Sequence, residues 1–334
     1  MSWKIRVTAS GFAKASQQAQ EFLRRAGCEL VFPKKLGPLR ADELTGTLSG
    51  MDAVLASLDH YSAEVLASPA VAQLKIIARW GVGYDAVDLR AATRRGIVVT
   101  YTPGLLDAAV ADYTFALLLA LARRVHEAHL VMRDTEWKIS WGDDVAGKTL
   151  GIIGYGRIGK AVARRATGFD MRVLAHGPHP KPEAEKSGVQ FVTLNTLLAD
   201  SDFISLHAAL TPENHGLIGE TQLRQMKRSA YFINTARGAL VDESALVRAL
   251  GEGRIAGAAI DVYATEPLPP DNPLRSTPNL LLSPHQASFA RDTGERVSLA
   301  VAQAVVDLMN GRRPQNILNP EVFKSPRLRA ELVR

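Results

Sequence analysis

Cysteine and long apolar runs are scarce in this sequence, and each scarcity excludes a class of protein. One residue of the 334 is cysteine, Cys28, so no disulfide can form within the chain, and a reducing, cytoplasmic location is expected. The longest apolar stretches, such as Phe115–Ala122, are far shorter than the ~20 residues that cross a bilayer. Residues 1–7 lack the apolar region of a signal peptide, and their pattern predicts a β-strand instead.

Blocks of like charge are also missing, although 40 Lys and Arg against 34 Asp and Glu give a net charge of +6. The basic residues are scattered as pairs, and they form no aromatic-rich basic stripe of the kind that binds nucleic acid. We therefore expect neither nucleic acid nor membrane as a partner, while the surplus charge can attract a small anionic substrate. At ~150 residues per domain, the length suggests two domains.

Short apolar, β-branched runs alternate with helical patterns, which is typical of parallel sheets with helices on both faces. The first predicted strands are Ile5–Ala9, Cys28–Phe32, Ala53–Ser57, Ile76–Trp80 and Ile97–Thr100. After a long predicted helix over 107–133, six more are Thr149–Ile153, Arg172–Ala175, Phe203–His207, Tyr231–Asn234, Gly257–Asp261 and Leu280–Ser283. Six strands fit a complete dinucleotide-binding fold, and a last helix is predicted over 290–311. We predict an α/β protein with two Rossmann-like or flavodoxin-like domains.

The sharpest local motif is Gly-x-Gly-x-x-Gly at Gly154, Gly156 and Gly159, between a predicted strand and a predicted helix. The first glycine allows a tight turn, the second lets the backbone approach a pyrophosphate, and the third lets the helix pack close to the strand. N–H groups at the start of the helix then favour phosphate. Because strand, loop and helix occur in the required order, the motif predicts a dinucleotide site rather than a structural turn.

Gly177 leaves the choice of dinucleotide open. NAD-binding folds usually place Asp or Glu at the end of the second strand, where it accepts hydrogen bonds from the adenosine ribose. Gly177 stands 18 residues after Gly159, close to that position, with His176, His179 and Lys181 around it. The sequence is compatible with NADP(H), whose phosphate suits Lys181, and equally with NAD(H) bound beside a plain turn.

Three polar residues follow the C-terminal ends of later predicted strands: Arg237, Glu266 and His285. Open α/β sheets bind ligands at that edge, so we expect the three side chains to converge. The guanidinium can hold carboxylate and carbonyl oxygens, and the imidazole can give a proton to a carbonyl oxygen as hydride arrives. Glu266 can hydrogen-bond the imidazole and fix its tautomer. The set predicts reduction of a 2-oxo acid, and no Cys/His spacing predicts a metal site.

At this point the sequence resembles a known family, the D-isomer-specific 2-hydroxyacid dehydrogenases, over about residues 3–320. The matching segments are Gly154–Gly159, Asn234–Gly238, Asp261–Pro267, Ser283–His285, Arg79–Asp85 and Leu206–Pro212. Within the family, the chain is similar to the phosphoglycerate dehydrogenase-like members and to hydroxypyruvate and glyoxylate reductases. The resemblance implies an NAD(P)-dependent oxidoreductase that interconverts a 2-oxo acid and a D-2-hydroxy acid.

The resemblance also implies a role for each matching position. Arg237 would bind substrate, His285 would be the acid/base, and Glu266 would pair with it. Backbone N–H groups of Gly81, Val82 and Gly83, after Trp80, would hold the substrate carboxylate. The cofactor side would comprise Gly154, Tyr155, Gly156, Arg157, Ile158, Gly159, Gly177, His207, Thr211, Pro212, Thr235, Ala236 and Asp261.

Some of these positions keep more than one interpretation. The segment Ser57–Tyr61 lacks the Arg that phosphoglycerate enzymes often place there for phosphate. His60 or Tyr61 is therefore predicted to face a smaller substrate, such as hydroxypyruvate or glyoxylate. Trp80 either shapes the pocket or belongs to the core. For His207, a packing or backbone role near the cofactor is favoured over catalysis.

The family further implies a discontinuous substrate domain, 1–103 plus 290–334, and a cofactor domain, 104–289, with the active site in the interdomain cleft. Members commonly form dimers through the long helix and the arm after it, here 107–146, so a homodimer is expected. A non-catalytic NAD(P)-sensing co-regulator on the same fold is the alternative, because fold does not fix function. A methyltransferase would explain the glycine loop alone.

Overall fold

The chain forms two compact units in the computed structural model, which describes residues 2–34, 36–134, 136–178 and 187–332. Unit 1 comprises Met1–Leu106 and Ser288–Arg334, and unit 2 comprises Asp107–Ala287. Each unit contains a parallel sheet with helices between its strands, which confirms the predicted α/β class. His179 and Lys181, the predicted neighbours of Gly177, lie outside the described residues.

All strand pairs of both sheets are parallel. Unit 1 has the order β2-β1-β3-β4-β5, with β1 Lys4–Val7, β2 Glu29–Val31, β3 Ala53–Ala56, β4 Ile76–Arg79 and β5 Val98–Thr100. Unit 2 has the order β12-β11-β10-β9-β6-β7-β8, with β6 Thr149–Ile153, β7 Arg172–His176, β8 Val189–Phe191, β9 Phe203–Leu206, β10 Tyr231–Asn234, β11 Gly257–Ile260 and β12 Leu280–Leu282. Parallel pairing places the carboxyl ends of the strands along one edge of each sheet, where such sheets bind ligands.

The helices of the described residues connect these strands. They are α1 Ser10–Ala15, α2 Gln17–Arg25, α3 Ala41–Leu48, α4 Ala63–Ala67, α5 Leu89–Arg94, α6 Asp107–Ala122, α7 Val125–Arg133, α8 Arg157–Ala166, α9 Leu194–Asp200, α10 Glu220–Gln225, α11 Glu243–Gly251 and α12 Arg291–Met309. Side chains define several of their starts: Ser62, Asp88 and Asp242 each accept an N–H group from the first turn of the following helix. No helix in the described ranges is both long and apolar enough to cross a membrane.

Two elements differ from the sequence prediction. The sheet of unit 2 has a seventh strand, β8, so the predicted set of six is wrong by one. Three residues, one of them exposed, are too few to show a strand pattern. The single helix predicted over 107–133 is two helices, because Arg124 adopts a left-handed conformation, with φ at 51°, between α6 and α7.

Apolar side chains cover both faces of the unit 2 sheet. One core includes residues of α6 and α8 and the other residues of α9 and α11, and the central strands are buried throughout. Strands buried on both faces have continuous apolar sequences, and for this reason they can be predicted from the sequence. The core of unit 1 contains residues of β3, β4 and β5 together with those of α3, α4 and α5. The polar residues of both units that follow these strands therefore stand at the carboxyl edges of rigid sheets.

Candidate active site

His285 and Glu266 are hydrogen-bonded in unit 2, with Nδ1 and Oε2 2.7 Å apart. Their side chains are 26% and 20% exposed, so the pair is largely shielded from water yet remains within reach of a small ligand. A carboxylate in this position fixes the imidazole tautomer and stabilises the charged ring. Because Nδ1 binds Glu266, Nε2 is the ring nitrogen that can exchange a proton with a ligand.

Glu266 is fixed from its own loop as well. Its Oε1 accepts the backbone N–H of Tyr263 at 3.0 Å. The Tyr263 hydroxyl donates to the carbonyl oxygen of Ser283 at 2.9 Å, which ties this loop to the one that carries His285. Burial raises the pKa of Tyr263 to about 12, so the hydroxyl keeps its proton and remains a donor.

Asp261 holds the loop of His285 in place. This fully buried carboxylate accepts the Ser283 hydroxyl at 2.6 Å and the N–H groups of Gln286 and Ala287 at 2.9 and 2.8 Å. Its carbonyl oxygen accepts the N–H of His285, a residue in the left-handed region with φ at 50°. Burial raises the pKa of the carboxyl group, and these donors counteract that effect by stabilising the charged form.

Arg237 stands on the loop after β10, and Asn234 shapes that loop. The Asn234 amide donates to the carbonyl oxygen of Arg237 and accepts the N–H of Ala236, both at 2.9 Å. A Cβ at Gly238 would lie 1.9 Å from the carbonyl carbon of Tyr263, so only glycine permits this approach of the two loops. Arg237, Glu266 and His285 thus follow three neighbouring strands, β10, β11 and β12.

The glycine loop, Gly154–Gly159, has the geometry that its sequence predicts. Gly154 has φ at 96°, and a Cβ there would lie 2.4 Å from the N of Ala208. A Cβ at Gly159 would lie 2.3 Å from the carbonyl oxygen of Gly154, whereas one at Gly156 would meet nothing within 4 Å. Gly156 is also the N-cap of α8 and has no side chain that could satisfy the first-turn N–H groups. Open space beside these donors fits a dinucleotide pyrophosphate.

The remaining candidates of unit 2 surround this loop or its strands. The N–H of His207 donates to the carbonyl oxygen of Ile153 at 2.7 Å, and its Nε2 lies 2.7 Å from the Ser205 hydroxyl. Burial lowers the pKa of His207 to about 3, so its ring is neutral at ordinary pH, which suits a packing role. Thr235 is buried, and its hydroxyl lies 3.2 Å from that of Thr114.

Several of the other predicted cofactor positions are more open. A Cβ at Gly177 would approach nothing nearer than the N of Tyr155, at 3.8 Å, so a larger side chain fits there. Tyr155 itself is buried and packs edge-on against Phe191. Arg157, Thr211 and Pro212 are exposed, while Ile158 and Ala236 are partly buried.

In unit 1 the structure separates the predicted substrate-facing residues. Trp80 is in the core: it is 6% exposed, its Nε1 donates to the Ser298 hydroxyl at 3.0 Å, and its ring packs on Phe289. Tyr61 is fully buried, so of the predicted pair only the exposed His60 stands where a ligand can reach it. The N–H of Gly81 already donates to the Thr102 hydroxyl at 3.1 Å, which leaves Val82 and Gly83 as the open part of the loop.

Sequence reasoning missed four residues that arrange these loops. Asn234, Thr102 and Arg79 position loop backbone, and Ser205 pairs with His207. In the sequence, each of these residues is a polar residue within, at or just after the end of an apolar strand. Their hydrogen-bond partners can be identified only in the structure. No group of three or more His, Cys, Asp or Glu that could hold a metal ion is found in the parts of the chain that the structure describes.

Comparisons with known proteins identify the family. A family model described as D-isomer specific 2-hydroxyacid dehydrogenase, NAD binding domain, matches residues 115–287. A glyoxylate reductase from Korarchaeum cryptofilum is 49% identical over 281 residues, which cover 82% of this chain and 84% of that protein. A D-3-phosphoglycerate dehydrogenase from Archaeoglobus fulgidus is 40% identical over 308 residues, covering 91% of this chain and 58% of that protein.

A solved structure has a similar fold. A protein from Thermus thermophilus superposes with a TM-score of 0.85 at 43% identity, and the match covers 94% of this chain and 99% of that one. The predicted family and reaction class are thereby confirmed. The chain belongs to the D-isomer-specific 2-hydroxyacid dehydrogenases, and it is an oxidoreductase that uses a nicotinamide cofactor on 2-oxo and 2-hydroxy acids.

Proposed function

We propose that this enzyme reduces small 2-oxo acids, glyoxylate and hydroxypyruvate first among them, to 2-hydroxy acids, with D configuration where C2 is a stereocentre. The observation that carries the proposal is the 2.7 Å bond between His285 and Glu266, on loops beside that of Arg237. Similarity to a glyoxylate reductase at 49% identity supports the substrate class.

Each of the three side chains has a distinct role in this reaction. Arg237 binds the substrate carboxylate and the C2 oxygen through its fork of N–H donors. The bound nicotinamide contributes hydride chemistry at C2. His285 donates its Nε2 proton to the C2 oxygen, so that the carbonyl becomes a CH–OH group, and it takes that proton back in the reverse direction. Glu266 stabilises the imidazolium that exists before the proton is given.

Unit 2 is the cofactor domain in this proposal, and unit 1 is the substrate domain; the sequence predicts their limits at 104–289 and at 1–103 plus 290–334. The glycine loop and the start of α8 bind the pyrophosphate, with Thr235, Ala236 and Asp261 toward the nicotinamide. We propose that both NADH and NADPH are accepted. The support is the absence of an acidic side chain at Gly177, where it would repel a 2′-phosphate.

In unit 1, the N–H groups of Val82 and Gly83 hold the substrate carboxylate. Gly81 serves this loop by its conformation, because its own N–H is already bound to Thr102. His60 is exposed near the end of β3 and faces a small substrate. The segment Ser57–Tyr61 contains no Arg for a phosphate group, which favours glyoxylate and hydroxypyruvate over 3-phosphoglycerate.

We also propose a homodimer formed through residues 107–146. Helix α7 contains no fully buried residue, although half of its side chains are apolar. Large exposed apolar side chains concentrate there and in the arm that follows: Val125, Leu130, Met132, Trp137, Ile139 and Trp141. Exposed apolar clusters of this kind mark interaction surfaces. Light scattering after size exclusion tests the proposal: a dimeric mass is expected, and a monomeric mass at micromolar concentration contradicts it.

The reaction is tested by following the absorbance of NADH and NADPH with a panel of acids. The panel contains glyoxylate, hydroxypyruvate, pyruvate, phenylpyruvate and 3-phosphohydroxypyruvate. We expect the highest kcat/KM for glyoxylate or hydroxypyruvate, and turnover with both cofactors. Tight binding of NAD(P)H with no turnover of any acid would instead support the non-catalytic sensor.

A further inference from the structure

Arg79 is a buried cation at the carboxyl edge of the unit 1 sheet. It is the last residue of β4, and it is 4% exposed. Buried charged groups form specific hydrogen bonds and ion pairs, so the contacts of this guanidinium indicate which backbone it positions. The roles proposed above for the three side chains of unit 2 do not involve Arg79.

The guanidinium contacts the first two residues of the 80–83 loop, Trp80 and Gly81. Its Nη1 donates to the carbonyl oxygen of Trp80 at 2.7 Å. The same nitrogen is 3.1 Å from the position that a Cβ on Gly81 would occupy, and Cζ is 3.5 Å from it. Any side chain at Gly81 would therefore meet the guanidinium, and the φ of 143° at Gly81 independently favours glycine.

The first half of this loop is anchored and the second half is open. Trp80 is held at its carbonyl oxygen by Arg79 and at its indole N–H by Ser298. Gly81 is held twice by Thr102, whose hydroxyl accepts its N–H and whose N–H donates to its carbonyl oxygen. Val82 and Gly83 are only partly buried.

Asp59 and Tyr61 belong to the same buried polar cluster. The Asp59 carboxylate is fully buried and accepts the Thr8 hydroxyl and the N–H groups of Ser57 and Leu39. Burial raises the pKa of the Tyr61 hydroxyl; the charge of Asp59 raises it further, and the charge of Arg79 lowers it. Asp59 thus has three donors that hold its own loops. Arg79 Nη1 donates to the carbonyl oxygen of Trp80 at 2.7 Å and, more weakly, to that of Ala56 in β3 at 3.5 Å.

We propose that Arg79 is a positioning residue for the substrate carboxylate. It fixes the conformation of the 80–83 loop through Trp80, and it supplies a fixed positive charge beneath the open N–H groups of Val82 and Gly83. The inference rests on the proposed function of that loop. Arg79 does not touch the reacting atoms, so its removal weakens anion binding without removing the proton or hydride transfer.

The test uses Arg79→Met, Arg79→Lys and a matched control, Arg329→Met. Arg329 is a partly buried arginine of the same unit. Its Nη1 donates to the carbonyl oxygens of Val71 and Leu74, which lie before β4 rather than after it. Oxalate is titrated into each enzyme with NADH bound, with nicotinamide fluorescence as the signal. KM and kcat for the best 2-oxo acid are then measured.

We expect Arg79→Met to raise the oxalate Kd and the substrate KM by about ten- to a hundredfold, because a charge and a directed hydrogen bond are both lost. We expect kcat to stay within about threefold, because the interaction is made before and during the chemical step alike. Arg79→Lys keeps the charge but loses the planar fork of donors, so its KM should lie between that of the wild type and that of Arg79→Met. Arg329→Met should lower the unfolding temperature but leave Kd and KM unchanged.

Two results would overturn the inference: an unchanged oxalate Kd in Arg79→Met, or an equal rise in Arg329→Met. If Arg79→Met does not fold, the same oxalate titration of Arg79→Lys tests the inference. A wild-type Kd in that variant would show that the directed hydrogen bonds of the guanidinium are not required. Failure of the proposed function is a separate result, namely a wild-type enzyme that turns over none of the five acids.

Discussion

The two sheet edges present their chemistry in different ways. In unit 2, three side chains follow neighbouring strands. The loops that carry them are fixed by hydrogen bonds that Tyr263 and Asn234 donate and that the Asp261 carboxylate accepts. In unit 1, the proposed substrate contacts are backbone N–H groups, and the buried side chains of Arg79 and Thr102 hydrogen-bond the start of the loop that carries them. Proton transfer requires particular side chains, whereas a carboxylate can be held by any well-placed N–H groups. Substitutions of the proton-transfer pair, His285 and Glu266, should therefore change kcat, and substitutions at the unit 1 edge should change KM.

His285→Ala should have the largest effect on kcat. A smaller effect would contradict the assignment of proton transfer to the edge of the unit 2 sheet. Loss of the proton donor is expected to reduce kcat by about a thousandfold, with the NADH Kd unchanged within about twofold. Steady-state kinetics and fluorescence titration measure the two quantities. The control is His215→Ala, which removes an exposed histidine of the same unit and should leave both unchanged.

Glu266→Gln should give the next largest effect. The amide can still accept the N–H of Tyr263, but the charge that stabilises the imidazolium is lost. We expect kcat for reduction to fall by about thirtyfold. Glu243→Gln is the matched control, because Glu243 likewise accepts a loop N–H, that of Ala264, without contacting His285. Equal losses in both variants would contradict the role of Glu266.

His207 should make stability depend on pH. Its pKa is about 3 in the folded chain, against 6.5 for a free histidine, so the unfolded chain binds the proton more readily. This contribution is present in full above pH 6.5 and is lost progressively as the pH falls toward 3, roughly 2 kcal/mol being lost by pH 5. In His207→Gln, the unfolding temperature should decline less between pH 7 and pH 5 than in wild type. The same decline in both proteins would contradict a neutral, buried ring.

Gly177→Asp should have the smallest effect, a change in the preference between NADH and NADPH. It tests whether Gly177 of unit 2 faces the cofactor. The side chain fits, because the nearest atom is 3.8 Å from the Cβ position. We expect the ratio of kcat/KM for NADH over NADPH to rise by about tenfold, because the carboxylate repels a 2′-phosphate. Gly168→Asp, at an exposed glycine with open space, is the control for added charge. An unchanged ratio would mean that Gly177 does not face the adenosine ribose.

The comparison also explains what the sequence could predict. The strands of unit 2 are continuous apolar runs, and they are followed directly by the glycine motif, Arg237, Glu266 and His285. Fold class, family and candidate chemistry can therefore be predicted from the sequence. Strand β8 and the helix break at Arg124 cannot be predicted, because each depends on one to three residues.

In unit 1, sequence alone does not separate Tyr61 from His60. The two residues are adjacent in the loop after β3, yet one side chain is buried in the core and the other is exposed to solvent, and only packing decides which. The engagement of the Gly81 N–H by Thr102 is equally invisible, because the two residues are 21 positions apart. Backbone contacts leave no side-chain signature in the sequence.

The central claim is that His285 completes a hydride transfer to C2 of a 2-oxo acid. The most direct measurement follows deuterium from NADH labelled at C4 into hydroxypyruvate, with the product analysed by NMR and by a chiral assay. We expect D-glycerate carrying one deuterium at C2 from the wild-type enzyme, and almost none in the same time from His285→Ala. L-Glycerate, unlabelled product, or equal label from both enzymes would contradict the claim.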